Sequence, residues 1–314
     1  MSLNTHRIVN PMPTETPMGT RPLFDWAPAL RKRLPWQALA DLPTPVEPLP
    51  FAANAWVKRD DLTHAEYGGN KIRKLEFIIA DALARGAKRV VTFGAAGTNH
   101  GVATAMMCQR VGLACEILLF DQPDSATVQL NQQLMRHYGA TLRYCGSLAA
   151  TVARYYLHSA RWKGDTYFLF AGGSNEAGTL GFVNAALELR DQIAEKRMPI
   201  PGRIVCPVGS SATLAGLTLG MQWLDLPIQV IGVRVAPSHL GPFAACTEAS
   251  VLQLMHKTRR HTERLAGLTL PEPVKPVLLE GYYGDGYGVA TSEGERACSQ
   301  FASAGLKLEQ TYSG

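Results

Sequence analysis

A lysine directly after a Gly-Gly-Asn turn is the residue of this sequence best suited to covalent chemistry. Lys71 follows Gly68-Gly69-Asn70 and enters a segment with helical periodicity. Glycines let a bulky group approach the amine, and lysine forms Schiff bases when removal from water lowers its pKa. The residues alone leave a plainer alternative open, in which Lys71 is a solvated lysine on a helix surface.

Three glycine-punctuated turns follow predicted strands, where open α/β sheets usually bind ligands. The turns cover residues 94–101, 171–175 and 209–216. The third carries hydroxyls at Ser210, Ser211 and Thr213, and N–H groups at a helix start attract anions, so it is the predicted phosphate site. A tight strand–helix connection without a ligand is the alternative.

Two familiar nucleotide-binding motifs do not fit these turns. A P-loop requires a lysine after its last glycine, but Leu217 follows Gly216. A dinucleotide-binding fingerprint requires GxGxxG, whereas the first turn has glycines at 94, 97 and 101. Asp121 follows the next predicted strand, where a ribose-binding carboxylate would stand. A nicotinamide-dependent dehydrogenase therefore remains an alternative from another reaction class.

Strands and helices alternate along most of the chain. Apolar positions from Leu75 to Leu83 predict an amphipathic helix that begins near Lys71 and stops at Gly86. Strands are predicted at 55–59, 89–93, 115–120, 141–144, 167–170, 203–208 and 229–233, with helices between them. This alternation indicates parallel, doubly wound α/β sheets. The proline-rich residues 1–50 are predicted to form an extended arm and not a helix.

Composition and charge exclude several classes of protein. The 314 residues are 46% hydrophobic and 18% charged, which is typical of a globular protein with a large core. A net charge of +5, spread along the chain, predicts no nucleic-acid partner, and without a run of ~20 apolar residues no membrane partner is expected. Six cysteines without a CxxC pair predict reduced thiols and a cytoplasmic location, and the histidines lack metal-binding spacing.

The segment around Lys71 resembles the cofactor-lysine motif of a known family. Gly68-Gly69-Asn70-Lys71-x-Arg73-Lys74-Leu75-Glu76 is similar to that motif in the D-cysteine desulfhydrase and 1-aminocyclopropane-1-carboxylate deaminase family. Its members are fold-type II pyridoxal-phosphate enzymes of the tryptophan synthase β class. The resemblance runs from about Pro43 to the C-terminus and includes Gly172-Gly173-Ser174-Asn175, residues 209–217, Tyr287-Gly288-Val289 and Tyr312-Ser313-Gly314.

The resemblance implies a pyridoxal 5′-phosphate cofactor and a role for individual residues. Lys71 would hold the cofactor as an imine and later move protons at the α-carbon of the substrate. Lys74 would point at the phosphate, and Asn99 would hydrogen-bond the 3′-oxygen of the cofactor. The phosphate would be surrounded, largely through backbone N–H groups, by Gly209, Ser210, Ser211, Ala212, Thr213 and Leu214.

The implied catalytic residues near the substrate are Thr98, Tyr287 and Tyr312, besides Lys71. Ser313 would meet the pyridine nitrogen of the cofactor. A carboxylate there would keep that nitrogen protonated and make the ring a strong electron sink, as opening of a cyclopropane requires. A hydroxyl suits β-elimination, in which a departing thiolate or hydroxyl takes the electrons, so Ser313 favours elimination.

Two turns depart from the family pattern. Where the family usually reads Gln-Ser-Asn-His/Gln-x-Arg, this sequence has Gly97-Thr98-Asn99-His100-Gly101-Val102, so the Thr98 methyl narrows the pocket. Ser211-Ala212 stands where two glycines are common. Because backbone donors do most of the phosphate binding, cofactor binding is expected to survive. Relatives usually continue for a short segment after the Ser313 position, so this sequence is either truncated or lacks that closing element.

The resemblance implies an α/β fold of two doubly wound three-layer α/β/α domains, in agreement with the alternation of elements. A small domain would comprise residues 75–186, and a large cofactor-binding domain residues 1–74 plus 187–314, with the cofactor in the cleft between them. The predicted reaction is α,β-elimination from a small amino acid, first of all D-cysteine to pyruvate, sulfide and ammonia. Alternatives are 1-aminocyclopropane-1-carboxylate deamination, an ammonia-lyase for D-serine or another β-substituted alanine, and a cofactor binder without turnover. Family members are commonly homodimers.

Overall fold

The described chain forms two parallel β-sheets with helices packed against them. The structure is a computed structural model that describes residues 21–240, 243–284, 286 and 289–309. In chain order the elements are α1 (Pro22–Trp26), α2 (Leu30–Arg33), β1 (Val46–Pro48), β2 (Trp56–Lys58), α3 (Asn70–Ala84), β3 (Arg89–Ala95), α4 (Asn99–Val111), β4 (Ala114–Phe120), α5 (Ala126–His137), β5 (Thr141–Gly146), α6 (Leu148–Tyr156), β6 (Thr166–Phe168), α7 (Glu176–Ala194), β7 (Arg203–Val208), α8 (Ala212–Trp223), β8 (Gln229–Arg234), β9 (His239–Leu240), β10 (Phe243–Ala244), α9 (Glu248–Ala266), β11 (Val277–Leu279) and α10 (Ser292–Ser303).

The first sheet has four parallel strands in the order β5-β4-β3-β6. β3 and β4 pair from Arg89 opposite Ala114 to Ala95 opposite Phe120. Val90 packs into a core with α3 and α4, whereas Phe93 packs on the other face against α6. Because helices cover both faces, the consecutive residues Val90 and Val91 of this central strand are both buried, as is typical of parallel sheets.

The second sheet has three parallel strands in the order β11-β8-β7. β7 and β8 occupy the predicted positions and pair in register, with Val205 opposite Ile231. Their core is formed mainly with α7, α8 and α9. The third strand, β11, was not predicted because three residues are too few to show a period.

The N-terminal arm is a correction to the sequence prediction. An extended conformation was predicted throughout residues 1–50, but α1 and α2 are helical; residues 1–20 lie outside the described residues. Pro22 stands at the start of α1, where its missing N–H is not needed. Leu23, Phe24 and Leu30 are buried in the core of the second sheet, so tertiary packing stabilises short helices that the prolines alone did not suggest.

Helix α3 lies between the two cores and carries the predicted cofactor lysine at its start. Its Leu75 and Ile78 pack with the first sheet, and its Phe77 packs with the second. From Leu180 onward α7 packs in the core of the second sheet. The division into residues 75–186 and the two flanking segments stays a prediction.

Gly181 of α7 lies against the backbone of α3 beside the motif. A Cβ atom at position 181 would lie 2.3 Å from the carbonyl oxygen of Arg73. We expect Gly181→Ala to lower the free energy of unfolding by about 1–3 kcal/mol, because a backbone carbonyl cannot move aside as a side chain does. Urea denaturation measures this. Gly202→Ala is the control, since nothing lies within 4 Å of its added Cβ; equal stability of the two variants would contradict the prediction.

The part of the chain that the structure describes contains neither a membrane-spanning helix nor a cluster of metal ligands. None of the helices within these residues combines the length and hydropathy needed to cross a bilayer. Nor do the described residues include three or more His, Cys, Asp or Glu side chains grouped to hold a metal ion.

Candidate cofactor and active site

A cleft of about 1290 Å³ opens beside the start of α3. Five of the predicted site residues line it: Lys71, Asn99, Gly209, Ser210 and Thr213. They belong to the first turns of α3, α4 and α8 and to the connection from β7 to α8. Strands β3 and β7 both end at this cleft, which is where parallel sheets usually bind ligands.

The Gly-Gly pair before Lys71 fixes the start of α3. A Cβ atom at Gly68 would lie 1.8 Å from the carbonyl oxygen of Asp61, so only glycine fits there. Gly69 adopts a φ of 137°, which disfavours other residues. Its N–H donates to the buried hydroxyl of Thr63 at 2.8 Å. The turn therefore holds the following Asn70-Lys71 against the body of the protein.

The Lys71 amine has the properties of a nucleophile. Its side chain is only partly exposed, on the cleft side, and Nζ donates to Oδ1 of Asn70 at 3.1 Å. Burial lowers the pKa of Lys71 to about 8, although the charge of Glu309 opposes part of this shift. Near neutral pH more of this amine is therefore neutral than in an exposed lysine, and the neutral form is the one that attacks an aldehyde.

The lowered pKa of Lys71 predicts the pH dependence of cofactor attachment. Only the neutral amine attacks, so the attachment rate should rise with pH and level off above a midpoint near 8. The measurement is the growth of the visible absorption band after cofactor-free protein is mixed with pyridoxal phosphate at a series of pH values. A midpoint near the usual lysine pKa of 10.5 would show that the amine is solvated.

Lys74 is a buried lysine beside the predicted phosphate turn. It is 1% exposed, and Nζ donates to the carbonyl oxygen of Gly172 at 3.2 Å and to Oγ of Ser210 at 3.3 Å. Burial, and then the charge of Lys71, lowers its pKa well below the usual lysine value. A dianionic phosphate beside Ser210 would offset that cost, so the position suits the predicted role.

The turn from β7 to α8 divides its residues between the cleft and the core. Gly209, Ser210 and Thr213 face the cleft. Ser211 donates through Oγ to the carbonyl oxygen of Ala245 at 3.0 Å, and the side chains of Ala212 and Leu214 are buried. Those three could reach a phosphate only through N–H groups of the first helical turn, which lack acceptors within the helix. Together with Lys71 and Lys74, this arrangement fits an aldehyde that carries a phosphate.

Asn99 and Thr98 differ in their access to the cleft. Asn99 lines it, and its Oδ1 accepts a hydrogen bond from the hydroxyl of Tyr67 at 2.9 Å. Thr98 is 6% exposed and caps α4, with its Oγ1 accepting from the N–H of Gly101 at 3.3 Å. The structure thus gives Thr98 a capping role, and its contact with substrate stays a prediction. Next to them, burial lowers the pKa of His100 to about 3, so this side chain is neutral.

A buried network of ion pairs joins the first turn of α3 to α7 and to the segment after β2. Arg73 is 1% exposed and pairs with Asp60 at 2.7 Å and with Glu188 of α7 at 2.8 Å. Lys58 of β2 also pairs with Glu188. Four charges from four parts of the chain are thereby matched, and they fix the helix turn that carries Lys71.

The motif's glutamate anchors the N-terminal arm. Glu76 is fully buried and accepts a hydrogen bond at 3.0 Å from Nε of Arg21. It also accepts from the N–H groups of Leu39 and Ala40 at 2.9 and 3.0 Å. Arg73 and Glu76 therefore act in folding, and neither lines the cleft.

Three further cleft residues have no role predicted from the sequence. Tyr67, Asn131 and Glu309 line the cleft near Asn99 and Lys71. Tyr67 adjoins the Gly-Gly pair, which is a weak signal, whereas Asn131 and Glu309 lie far along the chain and carry no motif. The predicted residues Tyr287, Tyr312 and Ser313 lie outside the described residues, so their roles stay predictions.

Comparisons with known proteins place the chain in a family. The family model described as "Pyridoxal-phosphate dependent enzyme" matches residues 38–314. The chain therefore belongs to the pyridoxal-phosphate-dependent enzyme family. Within it, the chain is 32% identical over 299 residues to D-cysteine desulfhydrase of Salmonella choleraesuis (strain SC-B67), covering 90% of this chain and 86% of that protein. The D-cysteine desulfhydrase of Salmonella paratyphi B is equally similar.

Solved structures show the same fold. The crystal structure of an ACC deaminase homologue superimposes with a TM-score of 0.76 at 28% identity, covering 94% of this chain and 87% of that one. The crystal structure of a pyridoxal 5′-phosphate-dependent aspartate racemase superimposes with a TM-score of 0.50 at 20% identity, covering 68% of this chain and 61% of that one. At this identity the similarity supports the fold alone.

The comparisons decide between the classes that the sequence left open. They confirm the α/β fold of the fold-type II class, the pyridoxal-phosphate cofactor, and an enzyme of the lyase or deaminase type that resembles D-cysteine desulfhydrase. The family match also removes the nicotinamide-dependent dehydrogenase, because the matched residues include both the first turn and Asp121.

Proposed function

We propose that the protein catalyses α,β-elimination from a small amino acid, with D-cysteine as the leading candidate. D-cysteine and water would yield pyruvate, hydrogen sulfide and ammonia. The observation that carries the proposal is the Lys71 amine, whose pKa burial lowers to about 8, facing the cleft that the phosphate turn also lines. The relatives named D-cysteine desulfhydrase and the Ser313 hydroxyl support elimination as the reaction.

The residues of the cleft would divide the work as follows. When bound, the cofactor supplies a sink for the electrons that are released at the α-carbon of the substrate. Lys71 holds the cofactor until the substrate amine replaces it, and its neutral Nζ then takes the α-proton. Lys74, Ser210 and the first turn of α8 bind the phosphate, and Asn99 donates to the 3′-oxygen.

A panel of amino acids tests the reaction. The purified protein, loaded with pyridoxal phosphate, is given D-cysteine, L-cysteine, D-serine or 1-aminocyclopropane-1-carboxylate. We expect pyruvate with sulfide from D-cysteine. Release of 2-oxobutanoate from the cyclopropane substrate would favour the deaminase reaction, which the similarity to an ACC deaminase homologue also suggests. Silence with every substrate despite bound cofactor would favour a binder without turnover.

The assembly and location inferred from the sequence are also proposals. A homodimer is proposed from the family resemblance, and sedimentation should give twice the mass of the chain. A cytoplasmic location is proposed from the six cysteines, which include no CxxC pair.

A further inference from the structure

Asn131 of α5 joins Asn99 to the backbone of the first glycine turn. It is 3% exposed, and its Nδ2 donates to the carbonyl oxygen of Gly97 at 2.8 Å and to Oδ1 of Asn99 at 2.7 Å. A carbonyl oxygen only accepts hydrogen bonds. The atom of Asn131 that faces Gly97 must therefore be the amide nitrogen.

The orientation of Asn131 dictates that of Asn99. An amide nitrogen carries two hydrogens, and the second one points at Asn99, where it must meet an acceptor. Oδ1 of Asn99 consequently faces Asn131, and Nδ2 faces away. In the reverse orientation, the amide nitrogens of Asn99 and of the buried Asn131 would face each other, and neither would have an acceptor in that direction. The hydroxyl of Tyr67 agrees with this orientation, because it can donate to the same Oδ1 at 2.9 Å.

The amide nitrogen of Asn99 is thus directed toward an anionic part of the cleft. Nδ2 lies 3.5 Å from Oε2 of Glu309, whose charge also acts on Lys71. The N–H group of Asn99 can donate a hydrogen bond to an anionic oxygen of a ligand attached to Lys71. If the Asn99 carbonyl oxygen faced the ligand instead, it would repel that anionic oxygen.

We propose that Asn131 is a positioning residue that directs the Asn99 amide N–H at the 3′-oxygen of pyridoxal phosphate. The proposal rests on the cofactor roles proposed for Lys71 and Asn99, and it does not depend on the identity of the substrate. Donation from Asn99 stabilises the anionic form of that oxygen. It therefore lowers the pKa at which the lysine-bound cofactor changes colour.

The substitution Asn131→Asp reverses the geometry with little change of shape. A carboxylate cannot donate, so Asn99 turns its nitrogen toward position 131 and its oxygen toward the cofactor. We expect about tenfold weaker binding of pyridoxal phosphate in equilibrium dialysis, and a higher midpoint in the pH titration of the visible band. Gln133→Glu is the matched control, since it makes the same chemical change on the exposed side of the same helix.

A double-mutant cycle separates positioning from a general effect on folding. If Asn131 acts through Asn99, Asn131→Asp should change cofactor affinity by less than about twofold when Asn99 is already alanine. The proposal would be overturned if Asn131→Asp weakened cofactor binding tenfold both in the natural sequence and in the Asn99→Ala variant. It would also be overturned if Asn131→Asp alone left the pH midpoint of the colour change unshifted. Should the aspartate variant fail to fold, Asn131→Ala is judged by the same cycle and the same titration.

These measurements use no amino-acid substrate, so the two proposals can fail separately. A protein that shows both shifts but turns over none of the amino acids keeps the role of Asn131 and loses the elimination reaction. If the protein releases pyruvate from D-cysteine while its Asn131→Asp variant binds cofactor normally, the elimination reaction is kept and the role of Asn131 is rejected.

Discussion

Lys71→Ala should abolish the covalent attachment of pyridoxal phosphate and reduce turnover by ~10³-fold or more. The variant loses the amine that is proposed both to hold the cofactor and to accept the α-proton. Its neighbour Lys74 cannot substitute, since its Nζ is held between Gly172 and Ser210. The measurements are borohydride reduction followed by mass spectrometry of the intact protein, and the rate of keto-acid release.

The control for this variant is a lysine outside the cleft. Lys257→Ala lies on the exposed face of α9 and should leave attachment and turnover unchanged. If the Lys71→Ala protein still became yellow and still gained the mass of the reduced cofactor, another amine would hold the cofactor. The cofactor role of Lys71 and the proposed mechanism would then both be rejected.

Glu188→Gln should lower the free energy of unfolding by about 3 kcal/mol, because it removes one of two carboxylates from the buried network. Arg73 then keeps its pair with Asp60, whereas Lys58 loses its pair with Glu188. The side chain of Arg73 is 1% exposed. Chemical denaturation followed by circular dichroism measures the effect. Since Arg73 belongs to the first turn of α3, we also expect weaker cofactor binding in the folded variant.

An exposed ion pair provides the control. Glu293 pairs with Arg296 at 3.1 Å on the surface of α10, and Glu293→Gln should not change stability measurably. A Glu188→Gln protein as stable as this control would show that the network contributes no net stability. Such a result would leave the position of α3 to be explained by apolar packing.

The lowered pKa of Glu188 predicts how the free energy of unfolding depends on pH. Burial alone would raise its pKa, but the charges and hydrogen bonds of Arg73 and Lys58 outweigh burial and lower the pKa below the usual 4.5. The folded state therefore binds the proton less readily than the unfolded chain. This contribution is fully present above pH 4.5 and is lost as the pH falls through the folded-state pKa. Glu188→Gln should remove that part of the acid dependence.

Local patterns predicted most of the sheet strands and the start of the site. The strand at 203–208 has the predicted bounds, and the helix after Lys71 was predicted from its apolar period. By contrast, α1 and α2 were predicted to be extended, because their prolines suggested an arm and the core that buries Leu23 comes from distant segments. β11 is too short for a period to show.

The sequence by itself predicted the cofactor lysine and the phosphate turn and determined the Gly-Gly turn before Lys71, because local backbone geometry requires glycine and the chemistry requires an amine within a few residues. Only the tertiary structure decided that Asn131 donates a hydrogen bond to Asn99 and that Arg73 pairs with Glu188. Those contacts join residues 32 and 115 positions apart. A hydrogen bond needs its donor and acceptor within about 3 Å, and only the packing of whole helices and sheets sets such distances.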